Sequence, residues 1–111
     1  MNGIKIRGAG QSVPSNVVSN RDLERKIDTS DEWITSRTGI RNRHHCSGQE
    51  TFSAITAAAA REALAAAGVR PEEIGACIVA TVTADTLVPS AACVLQRALG
   101  LPEDIPCFDL N

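Results

Sequence analysis

The chain has 111 residues, of which 43% are hydrophobic, with a net charge of −2 and a pI of about 5.6. Its length suits one small domain with a real core, and its charge disfavours sequence-independent nucleic-acid binding, which needs a basic surface. No apolar run reaches the roughly 20 residues of a membrane span, and the first residues lack a signal-peptide pattern, so we expect a cytoplasmic protein without membrane contacts.

The four cysteines stand at positions 46, 77, 93 and 107, and no two of them form a C-x-x-C pair. This spacing argues against a zinc ribbon, and the cysteine content is too low for a disulfide scaffold. We therefore expect reduced thiols, with Cys77, Cys93 and Cys107 as small core residues because their neighbours are apolar.

The first part of the chain predicts short elements. Residues 4–10 begin as an alternating strand and run into glycines, and residues 12–16 are typical of a turn or extended loop. Asn20 is a favourable N-cap residue, so a short helix is expected from Arg21 to about Ile27.

Residues 28–41 predict the helix on which a binding site is expected. Thr29 is a favourable N-cap residue, and Glu32, three residues later, completes an S/T-x-x-E capping box. Asp31 and Glu32 place negative charge in the first turn, where the helix dipole favours it. Gly39 can adopt the left-handed conformation that commonly ends a helix.

Three side chains in this stretch recur at a spacing of four residues, namely Thr29, Trp33 and Arg37. On a helix this spacing places them in one stripe on one face. A hydroxyl, an indole and a guanidinium together suit a ligand with a planar ring and phosphates, because Trp stacks on rings and Arg pairs with phosphate. Residues 40–46, which follow, are expected to be extended and positively charged.

The second half predicts a long helix followed by a strand–helix–strand unit. In chain order the elements are a helix at 50–67 ended by Gly68, a single turn at 71–74, a strand at 76–82, a helix opened by Ser90 and ended by Gly100, and a strand at 106–111. The long helix is rich in alanine, which lets another backbone approach closely. The strand at 76–82 is a continuous apolar run, which is typical of a strand buried on both faces.

Strands separated by helices imply an α/β fold with a parallel sheet covered on both sides, and the last two strands are expected to be joined by a right-handed crossover. In such sheets, ligands and catalytic groups gather beyond the carboxyl ends of the strands. The last predicted strand has no segment after it. We therefore expect the 111 residues to be an amino-terminal piece of a larger fold.

Two neighbouring stretches carry a specific resemblance: residues 28–34 (DTSDEWI) and residues 37–44 (RTGIRNRH). Together they closely resemble the signature of β-ketoacyl-acyl-carrier-protein synthase III, a condensing enzyme of the thiolase fold. The resemblance continues, in order and with matching spacing, in NRDLE at 20–24, ATVT at 80–83, PSAAC at 89–93 and FDLN at 108–111.

The resemblance implies that residues 1–111 are the amino-terminal part of a thiolase-like domain with a mixed, largely parallel sheet, an incomplete fold. The expected reaction joins a short acyl-CoA primer to malonyl-acyl-carrier protein with decarboxylation, which initiates fatty-acid synthesis. The family's nucleophilic cysteine follows the F-D-x-x strand, and its His and Asn lie in the second half of the fold. The resemblance thus implies that this chain holds no catalytic residue and is inactive alone. The complete protein is expected to be a transferase and a homodimer, which takes acyl-CoA as substrate and needs no further cofactor.

By motif position, Trp33 resembles the family residue that stacks on the CoA adenine, and Arg37 resembles one that contacts the CoA nucleotide. Thr29 matches a residue at the same part of CoA, although its hydroxyl is equally suited to the N-cap. Val88 matches a position where a bulky residue of the partner subunit borders the acyl pocket, and the smaller valine leaves room for a primer larger than acetyl. The unremarkable alternatives are that Trp33 is a core residue, that Arg37 is a solvated charge and that Val88 only packs in its loop. Arg41 and Arg43 either add positive charge near the site for CoA phosphates or an acidic carrier protein, or are solvated surface charges.

Two other interpretations of side chains are disfavoured. Adjacent residues of an extended segment point to opposite faces, so His44, His45 and Cys46 cannot easily share one metal ion. Cys93 stands near a helix start but matches a structural position of the family, so it is not expected to be the nucleophile.

Two alternatives for function stay open at this point. One is a related condensing enzyme of polyketide or secondary metabolism, which the same resemblance accommodates. The other is a non-catalytic, truncated module that binds CoA. It would need a companion chain that carries the rest of the fold, because an incomplete sheet leaves an unpaired edge that favours aggregation.

Overall fold

The computed structural model describes residues 3–111. Its elements in chain order are β1 (Asn16–Ser19), α1 (Asn20–Glu24), α2 (Asp31–Thr38), β2 (Asn42–His45), α3 (Phe52–Ala67), a 3₁₀ turn (Pro71–Glu73), β3 (Cys77–Ala80), α4 (Ala91–Leu99) and β4 (Cys107–Leu110). Contacts divide the chain into two compact units: Val13–Glu50, and Thr51–Asn111 together with the segment ending at Ser12. None of the helices within residues 3–111 is long and apolar enough to cross a bilayer.

The unit Val13–Glu50 is built on an antiparallel strand pair, in which Val18 of β1 lies opposite Arg43 of β2. Helix α1 follows β1 directly, and its N-cap is Ser19, whose hydroxyl accepts a hydrogen bond from the Asp22 backbone N–H while the Asp22 carboxylate accepts from the Ser19 N–H. The prediction of Asn20 as the cap is therefore wrong by one residue. The extended segment expected at 40–46 is confirmed by β2, whereas β1 was not predicted.

The second unit contains a β–α–β arrangement. Strands β3 and β4 are parallel, with Cys77 opposite Cys107, and α4 lies between them in sequence. This confirms the predicted strand–helix–strand order and the parallel pairing. The buried core of the unit is small and aliphatic and comprises Ala57, Cys77, Val79, Ala91, Ala92, Leu95 and Leu101.

Strand β3 corrects one expectation about burial. Cys77 and Val79 are buried, but the side chains between and after them are exposed, with Ile78 at 54%. The strand therefore buries one face, and the prediction that it is buried on both faces is wrong for the described part of the chain. Cys93 is exposed on α4, so its assignment to the core is also wrong, whereas Cys77 is buried and Cys107 half-buried; all four thiols are free.

The segment expected to be the first strand forms no strand in residues 3–10. Instead, its glycines lie against α3: a Cβ on Gly8 would come within 2.6 Å of the Ala63 carbonyl oxygen, and a Cβ on Gly10 would overlap the Ala59 carbonyl oxygen. The close backbone approach expected of an alanine-rich helix is thus confirmed. Helix α3 itself begins at Phe52 after the N-cap Thr51 and ends at Gly68, as predicted for its end.

Candidate functional site

Helix α2 (Asp31–Thr38) carries the candidate site, and the sequence explains both of its ends. Its N-cap is Ser30, whose hydroxyl accepts a hydrogen bond of 3.1 Å from the Trp33 backbone N–H. Asp31 and Glu32 occupy the first turn, as predicted, and Gly39 ends the helix with a φ of 71° in the left-handed region. The prediction of Thr29 as the cap, within a Thr29–Glu32 capping box, is wrong by one residue.

Trp33 and Arg37 lie one helical turn apart on α2 and contact each other. The Arg37 guanidinium carbon is 5.6 Å from the centroid of the indole ring, which is the geometry of a cation–π contact. The Trp33 side chain is 56% exposed, whereas Ile34 of the same helix is buried. The interpretation of Trp33 as a core residue is therefore excluded for this structure, and the helix presents an indole and a guanidinium side by side on its open face.

A pocket of ≈ 340 Å³ lies at the start of this helix and is lined by Asp28, Thr29, Ser30 and Trp33. Thr29 precedes the helix, so the expected three-residue helical stripe is reduced to Trp33 and Arg37. Thr29 nevertheless shares the pocket with the indole. Since Ser30 performs the capping, the Thr29 hydroxyl is not needed to hold the helix, and it can serve as a hydrogen-bonding group of the pocket wall.

The residue that holds this helix from behind was missed in the sequence. Asn20 is 1% exposed, and its side-chain amide donates to Asp31 Oδ1 at 2.7 Å, to the Ile40 carbonyl at 2.8 Å and to Thr35 Oγ1 at 3.2 Å. Its side-chain oxygen accepts a hydrogen bond from the Arg43 guanidinium of β2. Because a buried asparagine needs several partners to be satisfied, its position can be recognised only once α1, α2 and β2 are placed in space.

Hydrogen bonding also fixes the charge state behind the site. The pKa of the Asp31 carboxyl lies below its usual range, chiefly because the Asn20 amide donates a hydrogen bond to it. Burial opposes this effect, and the Thr35 hydroxyl makes a smaller contribution in the same direction as Asn20. The carboxylate is thus ionised at neutral pH and acts as an acceptor. This keeps the side of α2 opposite the indole in a defined hydrogen-bonding pattern.

Val88, the residue expected at an acyl pocket or dimer contact, lies in the loop between β3 and α4 and is 82% exposed. A pocket of ≈ 450 Å³ adjoins this loop beyond the carboxyl ends of β3 and β4, the edge at which α/β sheets bind ligands. Val88 does not line it. Its walls are formed by Thr81, Val82, Ala84, Thr86, Leu87, Ser90, Asp109 and Asn111.

The structure also shows the surroundings of the two disfavoured sites, the histidines of β2 and Cys93 of α4. His44 and His45 are exposed successive residues of β2, and within the described residues no group of three or more His, Cys, Asp or Glu side chains is arranged to hold a metal ion. Cys93 is the third residue of α4, and the first two N–H groups of that helix donate to the Asp109 carboxylate. The Asp109 carboxylate thus caps the start of the helix that carries Cys93.

Comparison with known proteins gives a consistent set of relatives, although no protein-family model matches the chain. The β-ketoacyl-[acyl-carrier-protein] synthase III of Neisseria meningitidis serogroup A is 50% identical over 107 residues, which are 96% of this chain and 33% of that protein. The crystal structure of 3-oxoacyl-[acyl-carrier-protein] synthase III from Aquifex aeolicus VF5 superimposes with a TM-score of 0.88 at 44% identity, covering 97% of this chain and 34% of that one.

A second solved structure with a related fold is the priming β-ketosynthase from the R1128 polyketide biosynthetic pathway. It superimposes with a TM-score of 0.84 at 37% identity and covers 96% of this chain and 31% of that one. The chain therefore spans about a third of the length of the relatives that it matches.

Proposed function

Because the chain is homologous to the amino-terminal third of β-ketoacyl-[acyl-carrier-protein] synthase III, we propose that it is part of a condensing enzyme that initiates fatty-acid synthesis. The complete enzyme transfers a short acyl group from CoA and joins it to malonyl-acyl-carrier protein with decarboxylation. In this proposal the chain supplies the CoA-entrance helix α2. The nucleophile and the groups that stabilise developing negative charge come from residues outside these 111.

The observation that carries the proposal is the exposed pair of Trp33 and Arg37 on α2. An indole that remains more than half exposed offers a free face for the adenine ring, since every nucleobase has a face on which an aromatic side chain can stack. The Arg37 guanidinium beside it offers fixed N–H donors for the nucleotide phosphates. Because Ser30 is the N-cap of α2, the Thr29 hydroxyl is available at the pocket that it lines together with Trp33.

The chemistry assigned to this chain is therefore binding and orientation. A CoA nucleotide held at α2 anchors one end of the substrate, so that its acyl thioester is presented to the nucleophile with less loss of freedom in the transition state. In this proposal Cys93 has no part in the reaction, because it matches a structural position of the family. We propose the chain by itself to be inactive.

The partners and location follow from the same reaction. We propose acyl-CoA and malonyl-acyl-carrier protein as substrates, a homodimer or a companion chain that completes the fold, and the cytoplasm as the compartment. Support for a protein contact comes from the loop before α4, where Leu87 and Val88 are 97% and 82% exposed. Large apolar side chains exposed together are typical of a surface that a partner covers. In that position Val88 borders the acyl pocket of the neighbouring subunit and admits a primer larger than acetyl.

A second candidate is a priming ketosynthase of polyketide synthesis, which the similarity to the R1128 enzyme favours. The two candidates share the CoA site and differ in the primer and in the pathway that receives the product. Assays of the full-length enzyme with an acyl-carrier protein of fatty-acid synthesis and with one of a polyketide pathway separate them, since each candidate should favour its own carrier. A strong preference for acetyl-CoA over longer and branched acyl-CoAs would remove the proposed role of Val88 without deciding between the two candidates.

The CoA site is tested by calorimetric titration of CoA into the full-length protein and its Trp33→Ala variant. Loss of one base-stacking contact should weaken binding by about 1–3 kcal/mol. Phe52→Leu serves as the matched control, because it changes an aromatic side chain that packs on the core of the other unit. Unchanged CoA affinity in Trp33→Ala would remove α2 from the proposed site.

A further inference from the structure

The Asn20 side chain donates hydrogen bonds to two residues of α2 and to the segment that follows it. Its amide reaches Asp31 at the first residue of α2, Thr35 in the next turn and the carbonyl of Ile40 just after Gly39. Two amide hydrogens are thus shared among three acceptors along the length of α2. Asp31 and Thr35 are also joined to each other, since the Thr35 hydroxyl donates to Asp31 Oδ1 at 3.2 Å.

The contacted side of α2 is opposite its ligand side. At about 100° per residue, Trp33 and Arg37 lie roughly 200° around the helix axis from Asp31 and Thr35. A rotation of α2 about its axis would therefore break the Asn20 contacts and turn the indole and guanidinium away at the same time. Hydrogen bonds to residues in successive turns resist such a rotation, because they weaken steeply when their geometry is lost.

The other end of Asn20 is held by the strand pair. The Arg43 guanidinium donates to the Asn20 side-chain oxygen and, at 3.2 Å, to the carbonyl of Val18 on β1. The Asn20 backbone N–H donates to the Arg41 carbonyl at 3.2 Å. Asn20 therefore connects a fixed base, β1 and β2, to the inner side of the helix that carries the candidate site.

From this arrangement we infer that Asn20 is a positioning residue, which sets the rotation of α2 so that Trp33 and Arg37 face the nucleotide of acyl-CoA. The inference rests on the proposed function, because it takes α2 to be the CoA site. Asn20 touches no ligand itself. Its effect is on how well the free protein already holds the binding geometry.

The test uses the full-length protein and the substitution Asn20→Asp, which keeps the size of the side chain and its contact with Arg43, removes the amide donors to α2 and sets a second carboxylate against Asp31. The KM for acyl-CoA and the calorimetric Kd for CoA should rise about tenfold, because the free protein no longer holds α2 in its binding geometry, while kcat changes little. In the double variant Asn20→Asp with Asp31→Asn, the amide and carboxylate exchange places, and affinity should return towards the wild-type value.

Val18→Ala is the control for a purely structural role, because it removes apolar volume from a buried residue of β1 in the same unit. Its Tm should fall, yet its Kd for CoA at a temperature well below Tm should match the wild type. If Asn20→Asp folds poorly, Thr35→Val removes one of the three acceptors and should weaken CoA binding in the same direction with a smaller effect.

Two outcomes overturn the inference. One is wild-type CoA affinity in Asn20→Asp, and the other is an equal loss of affinity in Val18→Ala at a similar fall in Tm. Failure of the proposed function is recognised separately, because Trp33→Ala would then also bind CoA normally. If Trp33→Ala loses affinity and Asn20→Asp does not, the CoA site stands and only the positioning role is rejected.

Discussion

The carboxylate of Asp109 and the backbone N–H of Ala91 are joined by a hydrogen bond of 2.7 Å, although 18 residues separate them in sequence. The second carboxylate oxygen accepts from the Ala92 N–H at 2.8 Å. The start of helix α4 is thus capped by two side chains, that of its N-cap residue Ser90 and that of Asp109 from strand β4. The contact fixes the helix start to the sheet and places a negative charge at the positive end of the helix dipole.

The substitution Asp109→Ala should therefore reduce the stability of the full-length protein. It leaves two half-buried N–H groups without partners, and we expect the free energy of unfolding to fall by about 1–3 kcal/mol. Urea denaturation measures this change. Asp104→Ala, which alters an exposed carboxylate in the turn before β4, should leave the unfolding midpoint unchanged, and the cross-strand cap would be refuted if both variants behaved alike.

Features with a local cause were predictable from the sequence. Gly39, Gly68 and Gly100 end their helices in the left-handed conformation, as the sequence predicts, because only glycine adopts it without steric cost. Both N-cap errors are shifts of one residue between neighbouring polar residues with similar capping preference. The choice of Ser19 over Asn20 depends on burial of Asn20 against α2, which is a long-range contact.

Features that depend on partners in space were less predictable. Residues 4–10 have an alternating pattern but lie along α3 without strand pairing, since a strand requires a neighbour that local sequence cannot specify. Strand β3 has an apolar sequence on both faces but is covered on one. The thiolase-like α/β fold followed from the resemblance and is confirmed by the TM-score of 0.88. The helix carrying Trp33 and Arg37 is predicted by its start and stop signals and their common face by the spacing, whereas its support by Asn20 is not predicted.

Gly10 should be sensitive to the smallest possible side chain. A Cβ there would overlap the Ala59 carbonyl oxygen and crowd the Ala63 backbone N–H of α3. We expect Gly10→Ala to lower the free energy of unfolding by about 1–3 kcal/mol, because backbone atoms of a helix cannot move aside cheaply. Guanidinium denaturation of the full-length protein is the measurement.

Gly75→Ala is the matched control for this prediction. A Cβ at Gly75 would meet no atom within 4 Å, and its backbone is outside the left-handed region. Alanine there should be neutral or should stabilise by about 0.4–1 kcal/mol, since it restricts the unfolded chain. Equal effects at the two positions would show that Gly10 does not approach α3 as closely as described.

Asp85 predicts a pH dependence of stability. Its carboxylate accepts hydrogen bonds from the backbone N–H groups of Ser53 at 2.8 Å and Phe52 at 3.0 Å at the start of α3. The pKa of Asp85 lies below its ordinary value of 3.8, first because of hydrogen bonding from the Ser53 side chain, then because of the Ser53 and Phe52 backbone N–H groups, with burial opposing them. A carboxyl whose pKa is lowered by folding contributes stability above its unfolded value and loses that contribution as the pH falls.

Thermal unfolding of wild type and Asp85→Asn should therefore differ most near neutral pH, with the wild type more stable. The difference should shrink as the pH falls below 3.8, the value that the unfolded chain retains. Asp104→Asn, which changes an exposed carboxylate in the turn before β4, is the control and should leave the Tm close to that of the wild type. A constant gap between wild type and Asp85→Asn across this range would contradict the role of the charge.

Arg37 should act on the nucleotide end of the substrate alone. Its guanidinium is exposed beside Trp33, so a phosphate contact there is partly screened by water and is worth about 1 kcal/mol. We expect Arg37→Ala to raise the KM for acyl-CoA several-fold and to leave the KM for an acyl-pantetheine, which lacks the nucleotide, unchanged. The effect should weaken at high ionic strength, because salt screens exposed charges.

Arg97→Ala is the matched control for Arg37, because Arg97 also lies in the last turn of a helix, α4, where Arg37 lies in the last turn of α2. Both substitutions remove one positive charge near a helix carboxyl end, so their effects on helix stability are comparable. Only Arg37→Ala should discriminate between the two substrates in steady-state assays of the full-length enzyme. A KM increase of the same size for acyl-CoA and acyl-pantetheine would mean that Arg37 supports the fold of α2 and does not bind the nucleotide.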